Sequence, residues 1–246
     1  MFPKILPHES LRHPVAASNL VATSQPLAVQ AGLQALRLGG NAVDAALSAA
    51  ITLTVVEPTG NGVGSDAFAL VWDGSRLHGI NGSGRSPKAW TPSYFSDYDS
   101  MPQFGWDSVT VPGAVDLWRC LSAQFGKLEF EQLFESAIHY AEKGFLVGFR
   151  TAFDWNNGPA KWYQDFPEFR KTFLPAPQVG ERYFRSDLAK TLRTLSRDPR
   201  SMYEGTIAEK IIQSSKLEKS AFNHEDLASH ETEWVAPISM PYRDVI

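Results

Sequence analysis

One cation, Arg85, stands between Gly84 and Ser86-Pro87, just after Asn81-Gly82-Ser83. A guanidinium presents its donors in a rigid fork, so on a loop where groups converge it suits bidentate capture of a carboxylate. Composition alone fits equally well a surface arginine beside a turn. A second glycine-rich loop precedes it: Gly60-Asn61-Gly62-Val63-Gly64-Ser65-Asp66. Its glycines fit two roles. One is a tight helix-to-strand turn with φ above zero, which the physics favours. The other is a nest of N–H groups facing an anionic ligand.

Other constellations fail on spacing or order. Gly62-Val63-Gly64-Ser65-Asp66-Ala67 fits G-x-G-x-x-A, but a dinucleotide fingerprint needs a strand before it and a helix after it. Here the order is reversed. No G-x-x-x-x-G-K-[ST] occurs, which excludes a P-loop. His224-Glu225 and His230 miss the H-E-x-x-H pattern because Ala228 occupies i+4. That segment reads as a solvated, acidic helix start. Cys120 is the lone cysteine, so an intrachain disulfide and a thiolate metal cluster are excluded. Its apolar helical neighbours mark it as buried rather than nucleophilic. His139, beside an apolar helix face, reads as structural. No metal and no cofactor are expected.

The elements that must position these loops follow from periodicity and punctuation. His13 to Ala22 is apolar and extended, a candidate first strand. Thr23 or Ser24 can cap the next helix, with Pro26 in its first turn and Gly39-Gly40 at its end. A second helix is predicted from Asn41 to about Leu53, its alanines allowing close backbone approach and its β-branched end closing it before Pro58. Ala67 to Trp72 and Arg76 to Asn81 flank Asp73-Gly74, a hairpin signal. Ser108 to Val111 reads as a short strand leading into Pro112-Gly113 and a helix that ends near Gly126. Leu133, Phe134, Ala137, Ile138 and Ala141 share one face of a helix that Gly144 closes. From Phe149 to Tyr183 a helix and an extended surface segment are expected. Three helices follow, marked by Leu188, Leu192 and Leu195, by Ile207 and Ile211, and by Asn223 as N-cap. Trp234 to Ile246 alternates like a strand.

Composition bounds the rest. The chain has 246 residues, 43% hydrophobic and 20% charged, an ordinary globular balance. A net charge of −4 and a pI near 5.9 give no electrostatic case for nucleic acid or acidic membrane surfaces. The longest apolar run, Ala45 to Val56, carries Ser48, Thr52 and Thr54 and is too short to span a bilayer. The first ten residues lack the apolar core of a signal peptide. A soluble cytoplasmic protein, with no nucleic-acid or membrane partner, is the expectation.

Several blocks resemble one known family. They are Ala22-Thr23-Ser24-Gln25-Pro26-Leu27-Ala28, Gly39-Gly40-Asn41-Ala42-Val43-Asp44-Ala45-Ala46, Val55-Val56-Glu57-Pro58, Val111-Pro112-Gly113-Ala114-Val115, and Ala137 to Phe145. Together they look like the N-terminal half of γ-glutamyltransferases, from about His13 to Ile246. The resemblance implies an α+β architecture: the helix-rich large-subunit portion of a four-layer αββα N-terminal-nucleophile hydrolase. It further implies a precursor that cleaves itself to expose a Thr at the start of a small subunit. The new α-amino group takes the hydroxyl proton, the hydroxyl attacks an amide, and backbone N–H groups hold the oxyanion. That Thr is expected beyond Ile246, so residues 1–246 read as an incomplete domain, inactive alone, with the C-terminal small subunit as partner.

One departure is informative. Many members carry Arg-x-x-Ala-Pro, and alignment on Pro87 puts Ser83 at the arginine position, with Arg85 two residues later. The Ser-Gly-Arg-Ser-Pro form looks more like the acylase branch, and it leaves γ-glutamyl specificity open. On this resemblance Arg85 becomes the acyl-group anchor for a small acyl-amide substrate. Ser83 is a second polar contact, and Asn61 to Asp66 a pocket wall. The rival reading is a non-catalytic fragment that binds a ligand or partner without turnover.

Overall fold

In the computed structural model, which describes residues 15–243, Gln25 rather than Thr23 or Ser24 caps the first helix, α1 (Pro26–Arg37). Its side-chain oxygen accepts from the N–H groups of Leu27 and Ala28, and Pro26 takes the first helical position. The strand expected from His13 does not form: residues 15–22 are irregular, and His13 itself lies outside the described residues. Asn41 opens α2 (Ala42–Val56) with a reciprocal capping box, its side chain accepting from Asp44 N while Asp44 accepts from Asn41 N. The helix runs three residues past the expected end, straight through Thr54, Val55 and Val56. Burial explains this, because that end packs in the core and propensity is only a weak prior against it.

The α1–α2 contact relies on small side chains. Ala28, Ala31 and Ala35 face Ala45, Ser48 and Ala49, all buried, and Ser48 Oγ donates to Ala31 O at 3.4 Å. The chain then makes the expected hairpin, β1 (Ala67–Trp72) paired antiparallel with β2 (Leu77–Gly82). Asp73 closes the turn by accepting from the N–H groups of Ser75 and Arg76, both at 2.8 Å. With its His78 partner as the main cause, this holds the Asp73 carboxyl well below the usual range.

Ser108 to Val111 is not a strand. A 3-10 turn covers Trp106–Ser108, and the extended residues after it make one ladder-like bond, Val111 N to Arg85 O at 3.0 Å. Helix α3 (Ala114–Phe125) packs on the hairpin, and a 3-10 turn leads into α4 (Glu135–Lys143), which Gly144 ends at φ 80°. Beyond it come β3 (Phe145–Leu146), α5 (Phe149–Asn157), α6 (Pro159–Trp162), α7 (Pro167–Phe173) and β4 (Arg182–Tyr183), with β3 and β4 paired. This region is therefore more helical than its mixed pattern suggests. The three expected helices follow as α8 (Ser186–Arg197), α9 (Thr206–Leu217) and α10 (His224–Ala228). The final strand, β5 (Glu233–Val235), is shorter than predicted and pairs antiparallel with β2, giving sheet order β1-β2-β5.

The fold is α+β, as expected. One core joins α1, α2, α3, α4 and α8 to one face of the sheet, through Ala28, Ile51, Ile80, Leu117, Ala137 and Leu192. The other face of β1 is bare: Phe68, Leu70 and Trp72 are 63–69% exposed. No helix among the described residues is long and apolar enough to cross a membrane.

Candidate functional site

Two backbone approaches position Arg85. A Cβ on Gly84 would lie 1.4 Å from Val111 O, and one on Gly113 would lie 1.9 Å from Gly82 O. Only glycine allows these segments to lie so close, and that closeness is what lets Val111 N reach Arg85 O. On the other side Gly84 N donates to Asp66 Oδ1 at 3.0 Å, tying the first glycine-rich loop to the second. Ser83 N donates to Asn81 Oδ1 at 2.8 Å, an Asx-type turn. Asp66, Ser83 and Arg85 are thus gathered at the open end of the hairpin. Asn61 stands apart, with its N–H and its side-chain amide turned back on Glu57 O.

The first glycine-rich loop is a helix-to-strand turn as expected, with Gly60 N donating to Glu57 O at 3.2 Å and Ser65 N to Gly62 O at 3.1 Å. The positive φ expected of Gly60, Gly62 and Gly64 is not found, and an added Cβ at Gly64 would meet no atom within 4 Å. Nor is the nearby N-terminus of α3 a free cluster of donors, since Ala114 N donates to Ser65 O and Asp116 N to Tyr203 Oη.

Arg85 is not free. Its Nη2 donates to Glu233 Oε1 at 2.6 Å, with both side chains open to solvent at 73% and 54%. Glu233 is a residue that the sequence reading missed. It lies opposite Asn81 in the β2–β5 register, 148 residues along the chain from Arg85, and no local pattern announces that pairing. The residue before it is anchored in the interior. Thr232 N donates to Asp116 Oδ2 at 2.9 Å, and Asp116, 2% exposed, also accepts from Arg119 at 3.0 Å. Burial works against the Asp116 carboxylate, but the Thr232 and Arg119 bonds outweigh it and hold its pKa below the usual value.

The segment read as a solvated acidic helix start is only partly that. Asp226 is buried, accepting from Asn223 N and Lys88 N at 2.9 Å each. His230 is buried and stacks on Tyr203 at 5.1 Å. Burial lowers its pKa, the charges of Asp116 and Asp66 oppose that, and those of Arg200 and Arg85 reinforce it. Burial likewise pushes up the Tyr203 hydroxyl and the Cys120 thiol, though Cys120 is partly buried against the core rather than fully so. A raised thiol pKa removes thiolate at neutral pH, so it is a poor nucleophile. His139 is exposed, edge-on to Tyr140, not part of the core. Among the described residues no group of three or more His, Cys, Asp or Glu could hold a metal ion.

The family model for gamma-glutamyltranspeptidase matches residues 28–246. The chain belongs to that family. It is 33% identical to the glutathione hydrolase-like YwrD proenzyme of Bacillus subtilis over 93% of this chain and 45% of that protein. It is 29% identical to the acylase ACY 1 proenzyme of a Pseudomonas strain, V22, covering 98% and 46%. Among solved structures, the cephalosporin acylase of Bacillus halodurans superposes with a TM-score of 0.93 at 42% identity, over 98% of this chain and 47% of that one. The gamma-glutamyltranspeptidase of Pseudomonas nitroreducens complexed with L-DON gives 0.86 at 25% identity, covering 93% and 70%. This gamma-glutamyltranspeptidase-family chain thus spans less than half the length of the curated relatives it matches. It shares their α+β N-terminal-nucleophile hydrolase fold over that portion.

Proposed function

We propose that residues 1–246 are the substrate-side, large-subunit portion of an amidohydrolase that transfers an acyl group, γ-glutamyl or a related one, to water or an amine. The domain is completed by a C-terminal small subunit of the same precursor, which supplies a threonine nucleophile. Its hydroxyl oxygen bonds to the acyl carbon, its proton passes to the new α-amino group, and the amine leaves with that proton. Water or a second amine then attacks the acyl-enzyme and releases the threonine. In this scheme no catalytic residue lies in the present chain.

What the present residues do is hold the acyl group. Arg85 binds its carboxylate, Ser83 adds a polar contact, and Asp66 walls the site, while Asn61, turned back on Glu57 O, takes no part. The observation that carries this reading is the clamp on Arg85. Its backbone is fixed at Gly84 and Val111 while its guanidinium stays exposed, an arrangement that preorganises a cation without burying it. Relatives named as proenzymes, among them an acylase and a glutathione hydrolase, support the acyl-amide chemistry.

The test is Arg85→Ala in the full-length gene product, assayed on γ-glutamyl and glutaryl anilides. A charge-assisted carboxylate contact is worth about 2 to 4 kcal/mol, so kcat/KM should fall by roughly ten- to several-hundred-fold. Both subunits should still appear on a gel. Unchanged kinetics would return Arg85 to a surface arginine beside a turn.

A further inference from the structure

We propose that Glu233 sets which acyl groups this site accepts, by occupying Arg85 as an internal carboxylate that a substrate must either displace or accommodate. The inference rests on the reading of Arg85 as the acyl-group anchor. An exposed ion pair between two long side chains is often incidental, but here the backbones that carry the two charges are both held in place.

On the glutamate side the approach to β5 is fixed at successive points. Arg200 donates to Ala228 O and His230 O, each at 3.4 Å, and its guanidinium lies 5.1 Å from the Tyr203 ring. His230 is packed face to face on the same ring. Thr232 N is held by buried Asp116, and Glu233 then enters the ladder opposite Asn81. On the arginine side Val111 N and the Gly84–Asp66 bond hold the loop. Interior anchors thus fix both backbones, while the two charged tips meet in water.

Such a pair adds little to stability, about 0 to 1 kcal/mol. Its effect on binding is larger in kind, because the charges are counted at the ligand. Glu233 already answers the Arg85 charge, and Asp66 adds a second carboxylate to the same loop through its bond from Gly84 N. An acyl group that offers only a carboxylate must displace Glu233 and leave it unpaired beside a like charge. An acyl group with an ammonium next to its carboxylate can give Arg85 the carboxylate and Glu233 the ammonium. Glu233 therefore selects against carboxylate-only acyl groups, and Arg85 alone cannot.

The experiment is calorimetric titration of the full-length gene product with glutarate and with L-glutamate, which differ by that ammonium and need no turnover. Glu233→Gln should bind glutarate roughly 3- to 10-fold more tightly than the unmodified protein and L-glutamate no more tightly. Glu231→Gln, which removes the same charge two residues away, should change neither. Glu233→Asp keeps the charge but shortens the reach, and should give an intermediate gain for glutarate. A thermal melt checks that each variant folds.

If Arg85→Ala weakens both ligands while Glu233→Gln changes neither, the role of Glu233 is refuted and the anchor reading stands. Equal tightening of both ligands in Glu233→Gln, or the same gain in Glu231→Gln, also refutes it, since net charge would then suffice. If Arg85→Ala affects neither ligand, or no variant binds either one, the anchor reading falls and this inference with it.

Discussion

Replacing Gly84 by Ala should unhinge the site from its support. The new Cβ would lie 1.4 Å from Val111 O and 2.4 Å from the carbonyl carbon, both of them backbone atoms that no rotamer change can move. Ordinary carbon–oxygen contact is about 3.3 Å or more, so the segments must part by about 2 Å. That separation breaks the Val111 N to Arg85 O bond and distorts the Gly84 N to Asp66 bond, each 3.0 Å long at present. Two such bonds contribute about 0.5 to 1.5 kcal/mol apiece, and forcing extra volume into packed structure costs about 1 to 3 kcal/mol. A loss of about 2 to 6 kcal/mol results. At about 2 to 4 °C per kcal/mol for a unit of this size, the melting temperature of the full-length product should fall by about 4 to 24 °C. Gly64→Ala is the matched control: its Cβ meets nothing within 4 Å and its φ is not positive, so its melt should stay within about 2 °C. A Gly84→Ala melt inside that same margin would refute the close-approach argument.

Asp116→Asn should cost about 2 kcal/mol near neutral pH, by weakening the charged bonds to Thr232 N and Arg119. Because the folded pKa of Asp116 is lowered, its contribution is present above the unfolded value near ~3.9 and lost as pH falls through the folded one. Acid titrations of stability should therefore converge for variant and parent at low pH, and a constant gap would count against the assignment. The 246-residue chain made alone should bind an apolar dye and self-associate through Phe68, Leu70 and Trp72; a sharp monomer peak without dye signal would contradict this. The same chain should release no anilide from either substrate above a heat-killed control, and time-dependent release would demand a nucleophile within residues 1–246.

Local signals served the fold well where one segment decides its own conformation. Asp73-Gly74 made its hairpin, Asn223 capped its helix, and the leucines of α8 found the core. Signals failed where tertiary context decided. Val55 and Val56 are strand formers that stay helical because both are buried. Val109 to Val111 is extended as the pattern suggested, yet only Val111 meets a partner backbone, so no ladder forms. The Gly39-to-Ala46 block, the strongest part of the family resemblance, proves to be joinery. Asn41 and Asp44 cap α2, Asn41 Nδ2 donates to Phe125 O at 2.6 Å, and Asp44 accepts from Lys127 N at 3.0 Å.

The site divides along the same line. Arg85 could be singled out because a cation on a glycine-flanked loop has few structural duties, and Asp66 and Ser83 lie close enough in sequence to the hairpin ends to be brought beside it. Glu233 could not, because its partner is chosen by the β2–β5 register and by an aspartate buried in a different helix. That asymmetry changes the chemistry inferred. Read from sequence, the loop offers an unpaired guanidinium and invites any carboxylate. In the folded chain the guanidinium already has one, on a backbone that the interior holds in place. Under the proposed anchoring role of Arg85, affinity at this site is set by exchange between two carboxylates on one arginine. Because an exposed pair stabilises the fold so little, Glu233 can be altered with far less damage than Gly84 or Asp116, which separates specificity from support within a few residues of each other.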